Sequence, residues 1–334
     1  MVCCFYKRTA YIIVEQPRNM SEVVFPMLAT VRNPRRQILK QISRSRYLYL
    51  LFLLPMIYFV VFKYGAMMWL TIAFKNFKAT RGLWGSDWVG LKHFEKFLTD
   101  AYFWKLVRNT VLLNLYGLIF SFPAAIILAL MINEVRMQRF KKLVQTVSYM
   151  PYFISTVAVC GLITTFLSSD GLITMMLRTL TGKSYALLTD AGAFRSIYII
   201  SDIWQHVGWG SIIYLAALTG IDPGLYEAAE IDGASRVQQT LHVSLPSIAS
   251  VIAIQFLLTV GRMMDIGYEK ILLLYTGSTY ETADVISTYL YRRTIIQADY
   301  SYGAAISLFQ AVLSLLLVSG ANKVAQKVGS TSLW

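Results

Sequence analysis

Charge is scarce in this sequence. Asp, Glu, Lys and Arg make up 15% of its 334 residues, against about 25% in soluble domains, and that shortage excludes an ordinary soluble fold. Cysteine is nearly missing: Cys3, Cys4 and Cys160 fit neither a zinc site nor a disulfide framework. Cys160 lies in an apolar run and reads as a small buried hydrophobe. His93, His206 and His242 stand too far apart for an HExxH-type metal site. A serine nucleophile elbow and a paired-carboxylate constellation are lacking too, so the sequence offers no enzyme site. Gly182-Lys183-Ser184 ends like a phosphate-binding loop, but Leu177 occupies the place of its first glycine. The N-terminus lacks the charged segment, apolar core and small-residue site of a signal peptide.

Long apolar runs fill the space that charge leaves, with 56% hydrophobic residues overall. Six runs approach the roughly 20 residues that a spanning helix needs. They start near Tyr47 (extending through Met67–Phe74 if the helix bends), then run over about Leu106–Ile132, Leu143–Leu167, Phe194–Leu218, Ser247–Arg262 and Ala304–Ala321. The expected fold is an all-α integral membrane domain with six transmembrane helices over 47–321. A basic tail precedes it over 1–46 and a short tail follows over 322–334.

The net charge is +13. Nine Lys or Arg precede Tyr47, including Arg32, Arg35, Arg36, Lys40, Arg44 and Arg46. Without a recognition motif this cluster reads as an orientation signal facing anionic lipid, not as a nucleic-acid site. Arg136, Arg139, Lys141, Lys142, Lys323 and Lys327 fall on the same side if six helices cross, so the rule that positive loops stay inside makes both termini cytoplasmic. On the other side, Lys75, Lys78, Lys92, Lys96, Arg292 and Arg293 are diluted by Asp87, Glu95, Asp100, Glu281, Asp284 and Asp299. Trp84, Trp88 and Trp104 mark an outer loop with interface-seeking aromatics.

The polar stretch Asp222–Pro246 joins the fourth and fifth runs. Asp222 can cap a helix that begins at Pro223, where a missing N–H costs nothing. Leu225–Asp232 then form a short amphipathic helix, Gly233 allows a sharp turn, and a second helix over about Ser235–Val243 leads to Leu245-Pro246. On pattern alone this is either a docking elbow or an amphipathic hairpin lying on lipid. Glu227-Ala228-Ala229, Gly233 three residues on, and Val243-Ser244-Leu245-Pro246 nine further resemble the EAA loop of ABC importer permeases, E-A-A-x3-G-x9-I-x-L-P, with Val243 replacing Ile. The resemblance extends over most of the chain from about Arg44. In detail it is similar to the sugar-importer branch related to the maltose permeases, and to a group there handling polysaccharide fragments such as alginate.

That resemblance implies a type I importer permease in a bacterial inner membrane, working by alternating access. The loop would dock in a cleft of a cytoplasmic ATPase through Glu227, Ala228, Ala229, Asp232, Gly233, Leu245 and Pro246. No cofactor would bind this chain; ATP and magnesium would bind the ATPase dimer. The other partners implied are a second homologous permease, a periplasmic or lipid-anchored solute-binding protein, the sugar and membrane lipid.

Polar groups inside spanning helices are costly and tend to face cavities. Asp202, His206 and Trp209 lie on one helix face, with Gln205 beside them. An aromatic ring beside hydrogen-bonding groups suits a sugar; helix–helix hydrogen bonding explains the same residues equally well. Arg262 and Asp265 are the next candidates and could simply pair with each other. Tyr214, Gln255, Tyr268 and Gln310 follow, then Asn114 and Tyr116. Arg262 and His206 would suit the carboxylates of uronic acids. The competing class is an ion-coupled secondary transporter, which would call for acidic coupling groups and leave the elbow without a role.

Overall fold

The computed structural model describes residues 45–264 and 267–327. The basic cluster before Arg46, Cys3, Cys4, Asp265 and residues 328–334 lie outside the described residues. The chain is mostly helical, and its two short strands, β1 (Lys75–Asn76) and β2 (Asp87–Trp88), pair as an antiparallel hairpin.

Two compact units are distinguished, one ending at Ala66 and one beginning at Met67. The first carries most of α1 (Arg46–Phe74). Its apolar side chains, from Tyr47 to Tyr64, are exposed and none is buried. A helix apolar all round with nothing buried suits a lipid environment.

The second unit is a helical bundle. Its elements are α2 (Lys92–Leu98), α3 (Phe103–Glu134), α4 (Gln138–Tyr149), α5 (Thr156–Leu167), α6 (Leu172–Thr181), α7 (Ala191–Thr219), α8 (Pro223–Ile231), α9 (Arg236–Ser247), α10 (Ala249–Gly261), α11 (Tyr268–Leu274), α12 (Ile286–Tyr291) and α13 (Tyr300–Lys327). Among the described residues four helical runs are long and apolar enough to cross a membrane: α1, α3, the α5–α6 pair and α13. A fifth joins them if α9 and α10, bent by 63°, count as one. The 29-residue α7 is long enough but falls short in apolarity. Asp202, Gln205 and His206 in its middle lower its mean hydropathy.

The run Leu143–Leu167, expected as one span, is broken. α4 ends at Tyr149, Met150–Phe153 forms a 3-10 turn, and the crossing helix starts at Thr156 and continues through α6. Pro151 cannot continue an α-helix as donor, and the Ser155 side chain accepts the Ala158 N–H at 3.3 Å, capping a new one. Gly182, at the end of the phosphate-loop lookalike, is simply the left-handed stop of α6, with φ +70°. The last helix begins at Tyr300 and continues through Lys327, beyond the expected Ala321.

α3 and α7 form the spine of the bundle. Small residues let them close up, Ala125 and Ala129 on α3 and Gly210 on α7, while Gly208 lets α7 approach α4. A Cβ on Gly208 would fall on the Ser148 carbonyl, and one on Gly210 would stand 3.3 Å from the Ala125 methyl. Along this spine the apolar packing divides in two. Leu113, Phe194, Ile271 and Val285 pack near one end; Ala125, Ile132, Tyr214, Leu218 and Ile248 pack near the other.

Candidate functional site

Between those two cores, on the same two helices, lies a cavity of about 610 Å³, within the range of small-molecule sites. α3 contributes Asn114, Gly117 and Ser121; α7 contributes Tyr198, Asp202, Gln205 and His206. α10 and the following chain contribute Thr259, Arg262, Glu269 and Lys270.

Local backbone chemistry sets this lining. Pro123 cannot donate to the carbonyl four residues back, and α3 widens into a π turn over Gly117–Ser121 at that point. The turn points Ser121 at α7, where its hydroxyl donates to Asp202 Oδ2 at 3.1 Å. His206 Nδ1 lies 3.0 Å from Asp202 Oδ1. Both oxygens of Asp202 are thus engaged, as a carboxylate inside a bundle requires, because an unpaired one costs several kcal/mol. Gln205 is buried; its amide nitrogen donates to the Ile154 carbonyl at 3.3 Å, and its Oε1 has no partner.

Asp202, Gln205, His206, Arg262 and the weaker candidate Asn114 therefore meet in one cavity, while Trp209, Tyr214, Gln255, Tyr268 and Gln310 are placed elsewhere. Trp209 stacks face to face on Tyr152 at 4.5 Å. Tyr214 is buried in the second core against Phe122. Gln310 donates to the Met264 carbonyl at 3.0 Å, tying α13 to the end of α10. Tyr268 stacks on Tyr291 at 5.6 Å, and Gln255 supplies a carbonyl to the Thr259 hydroxyl at 2.8 Å. Several lining residues went unforeseen, among them Ser121, Tyr198 and Thr259 and the charged pair Glu269 and Lys270. The signal was present in a lysine interrupting the run Ile271–Leu274, but the apolar period ends at Arg262 and the next stretch reads as loop.

The elbow joins α7 to α10. Asp222 caps α8 through Gly224 N–H at 2.9 Å, with Pro223 at the first position. Gly233 turns the chain with φ +78°. Its N–H donates to the Glu230 carbonyl at 3.1 Å, and Ala234 N–H to the Ala229 carbonyl at 2.9 Å, closing the C-terminus of α8. Ser235 and Gln238 form a capping box for α9. Two side-chain bonds lock the arms together: Tyr226 Oη to Ser244 Oγ at 2.8 Å, and buried Gln239 Nε2 to the Ala234 carbonyl at 3.0 Å. The second helix, expected to end near Val243, continues through Leu245-Pro246 to Ser247, and the chain bends at Ile248 before α10. Glu227 and Ala228 are exposed and Ala229 is half-buried. Leu225, Ile231, Val237 and Leu241 add a bare apolar surface, Ile231 being 87% exposed. An apolar surface of this kind is one that either a protein or a membrane covers.

A polar cavity inside a bundle with several membrane-length apolar helices is an arrangement suited to a membrane transport protein. The chain belongs to the family of binding-protein-dependent transport system inner membrane components, which its residues 121–329 match. It is similar to the polygalacturonan/rhamnogalacturonan transport system permease protein YteP of Bacillus subtilis (strain 168), with 40% identity over 91% of this chain and 95% of the relative. It is also similar to Protein LplB of the same organism, with 38% identity over 88% and 92%. Among solved structures it is similar to a chain of a bacterial ABC transporter involved in the import of the acidic polysaccharide alginate. There the TM-score is 0.81 and the identity 41%, over 87% of this chain and 99% of that one. A related crystal structure holds the alginate transporter with an alginate pentasaccharide-bound periplasmic protein, with TM-score 0.81 and 40% identity over 88% and 99%. The chain is thus an ABC permease of the inner membrane, a transport component rather than an enzyme.

Proposed function

We propose that this permease moves acidic oligosaccharides, fragments of polyuronides such as polygalacturonan or alginate, through the cavity between α3, α7 and α10. The observation that carries the reading is the polar gap itself: Asp202, Gln205, His206 and Arg262 interrupt two apolar cores on helices that the elbow joins. The names of the relatives, which include a polygalacturonan permease and an alginate importer, support the acidic sugar. Arg262 and His206 supply groups that pair with carboxylates.

In this reading six helices cross the membrane, α7 among them, with both termini and the elbow in the cytoplasm. Residues 1–46 and 322–334 are cytoplasmic tails. A second homologous permease completes the pathway, and a periplasmic or lipid-anchored binding protein delivers the sugar. An ATPase dimer, carrying ATP and magnesium, docks on Glu227, Ala228, Ala229, Asp232 and Gly233, with Leu245 and Pro246 fixing the second arm. Closure of the ATPase pair pushes the elbow, and alternating access follows as a rigid-body movement.

Uptake in proteoliposomes holding the whole importer tests this. An oligogalacturonide should accumulate only with ATP inside and binding protein outside, and should ignore an imposed proton or sodium gradient. Uptake driven by the ion gradient without ATP would favour a secondary transporter and end the proposal.

A further inference from the structure

Lys270 is the one feature of the cavity for which packing gives no reason. It is 5% exposed and lines the cavity. Its ammonium has no hydrogen-bond partner among the described residues. The face of the Tyr198 ring lies 5.3 Å away, and the Asp202 carboxylate acts on it electrostatically without a hydrogen bond. The acids that share the lining do not satisfy it: Asp202 is engaged by Ser121 and His206, and Glu269 is exposed. Its neighbour Ile271 is fully buried and Leu274 packs in the same core, so a leucine or methionine would fit the segment without the cost of a buried cation. A lysine carries three donors and a full charge, both of which call for an anion when water is excluded. A second group without a partner among the described residues, the Oε1 of Gln205, belongs to another residue of the same lining and accepts hydrogen bonds only. One donor-only cation and one acceptor-only oxygen complement a sugar acid, which offers a carboxylate and hydroxyl protons a few ångströms apart.

We propose that Lys270 is the specificity-determining residue of the cavity, pairing with a carboxylate of the passing uronic-acid unit. The inference rests on the cavity being the sugar's path. The pairing makes a neutral sugar a poorer substrate, because it leaves the ammonium buried and alone.

The test uses the whole importer in proteoliposomes with ATP inside, given a galacturonic acid trimer or its fully methyl-esterified, uncharged form. Lys270→Met should lower uptake of the charged trimer at least tenfold relative to the unaltered importer, and change uptake of the ester less than twofold. Lys270→Arg should keep charged-trimer uptake within about threefold. Lys270→Gln replaces the methionine variant if that one fails to assemble, assembly being read as recovery of the intact importer. Equal losses for the two sugars in Lys270→Met, wild-type uptake of the charged trimer by that variant, or an arginine variant as inactive as the methionine one would each overturn the assignment. Should the unaltered importer move neither sugar, the proposed function itself falls, and the role of Lys270 with it.

Discussion

At the scale of single residues, the end of the bundle away from the elbow shows how burial and hydrogen bonding compete. Asp100 sits between α2 and α3. Burial disfavours its charge, but Tyr289 donates at 2.6 Å, Tyr102 N–H at 2.9 Å and Tyr302 at 3.3 Å, with Arg293 3.8 Å away. Together these outweigh burial and hold the carboxyl below the usual carboxylate range. A carboxyl lowered by folding stabilises the native state above its unfolded pKa, about 3.9, and that contribution fades as pH falls through the folded value. Asp100→Asn is therefore expected to lower Tm by about 2–4 °C at pH 7, with the deficit shrinking as the pH falls through the folded carboxyl's lowered pKa. A deficit that persists unchanged at acid pH would assign the effect to lost packing. Glu281 is held low for a related reason, by hydrogen bonds from Lys105 and Arg108, yet it is exposed and solvent screening leaves it little weight.

At the scale of elements, the elbow was the most legible part of the sequence, because its signals are local. Asp222, Pro223 and Gly233 each act on their own backbone, and each is where the turn grammar put it. The break at Met150–Ser155 was hidden, since the sequence stays apolar across it and only Pro151 and Ser155 betray it. The cavity was half legible. Helical spacing put Asp202 and His206 on one face, but it put Trp209 there too, and the ring turned to Tyr152 instead. Which partner a side chain finds depends on elements distant in sequence, and spacing within one helix carries no record of them. The elbow also yields a test. A Cβ at Gly233 would meet nothing within 4 Å, so bulk is tolerated sterically in this chain, while the positive φ is not favoured by other residues. Gly233→Trp is expected to leave membrane insertion intact and cut ATP-driven uptake at least tenfold, by obstructing whatever seats on the elbow. Full uptake and sugar-stimulated ATP hydrolysis in that variant would exclude docking there.

At the scale of the whole molecule, the proposed topology assigns the hairpin and the elbow to opposite faces of the membrane. Trp84, 82% exposed beside the hairpin, and Val237, 68% exposed on α9, are suitable reporters. In a background with Cys3, Cys4 and Cys160 replaced by serine, Trp84→Cys should react with an impermeant maleimide in spheroplasts. Val237→Cys should react only in inverted vesicles. Labelling of both from one side would overturn the six-helix arrangement, and it would return α7, with its low hydropathy, to a non-crossing role.

The corner at Ile248 has a mechanical consequence. Hydrogen bonds run through it, from Ile248 N–H to the Ser244 carbonyl at 3.3 Å and from Ile252 N–H to the Ile248 carbonyl at 3.0 Å, so α9 and α10 form one bent rod. At roughly 1.5 Å per residue the arms are about 18 and 20 Å long. A bent rod with equal arms is a bell-crank. A thrust of about 3 Å on the elbow end turns it by about 10°, and the far end then travels a similar distance in a direction rotated by the bend. That far end adjoins Arg262, on the cavity wall. The stroke arrives there undiminished but changed from a push into a sweep.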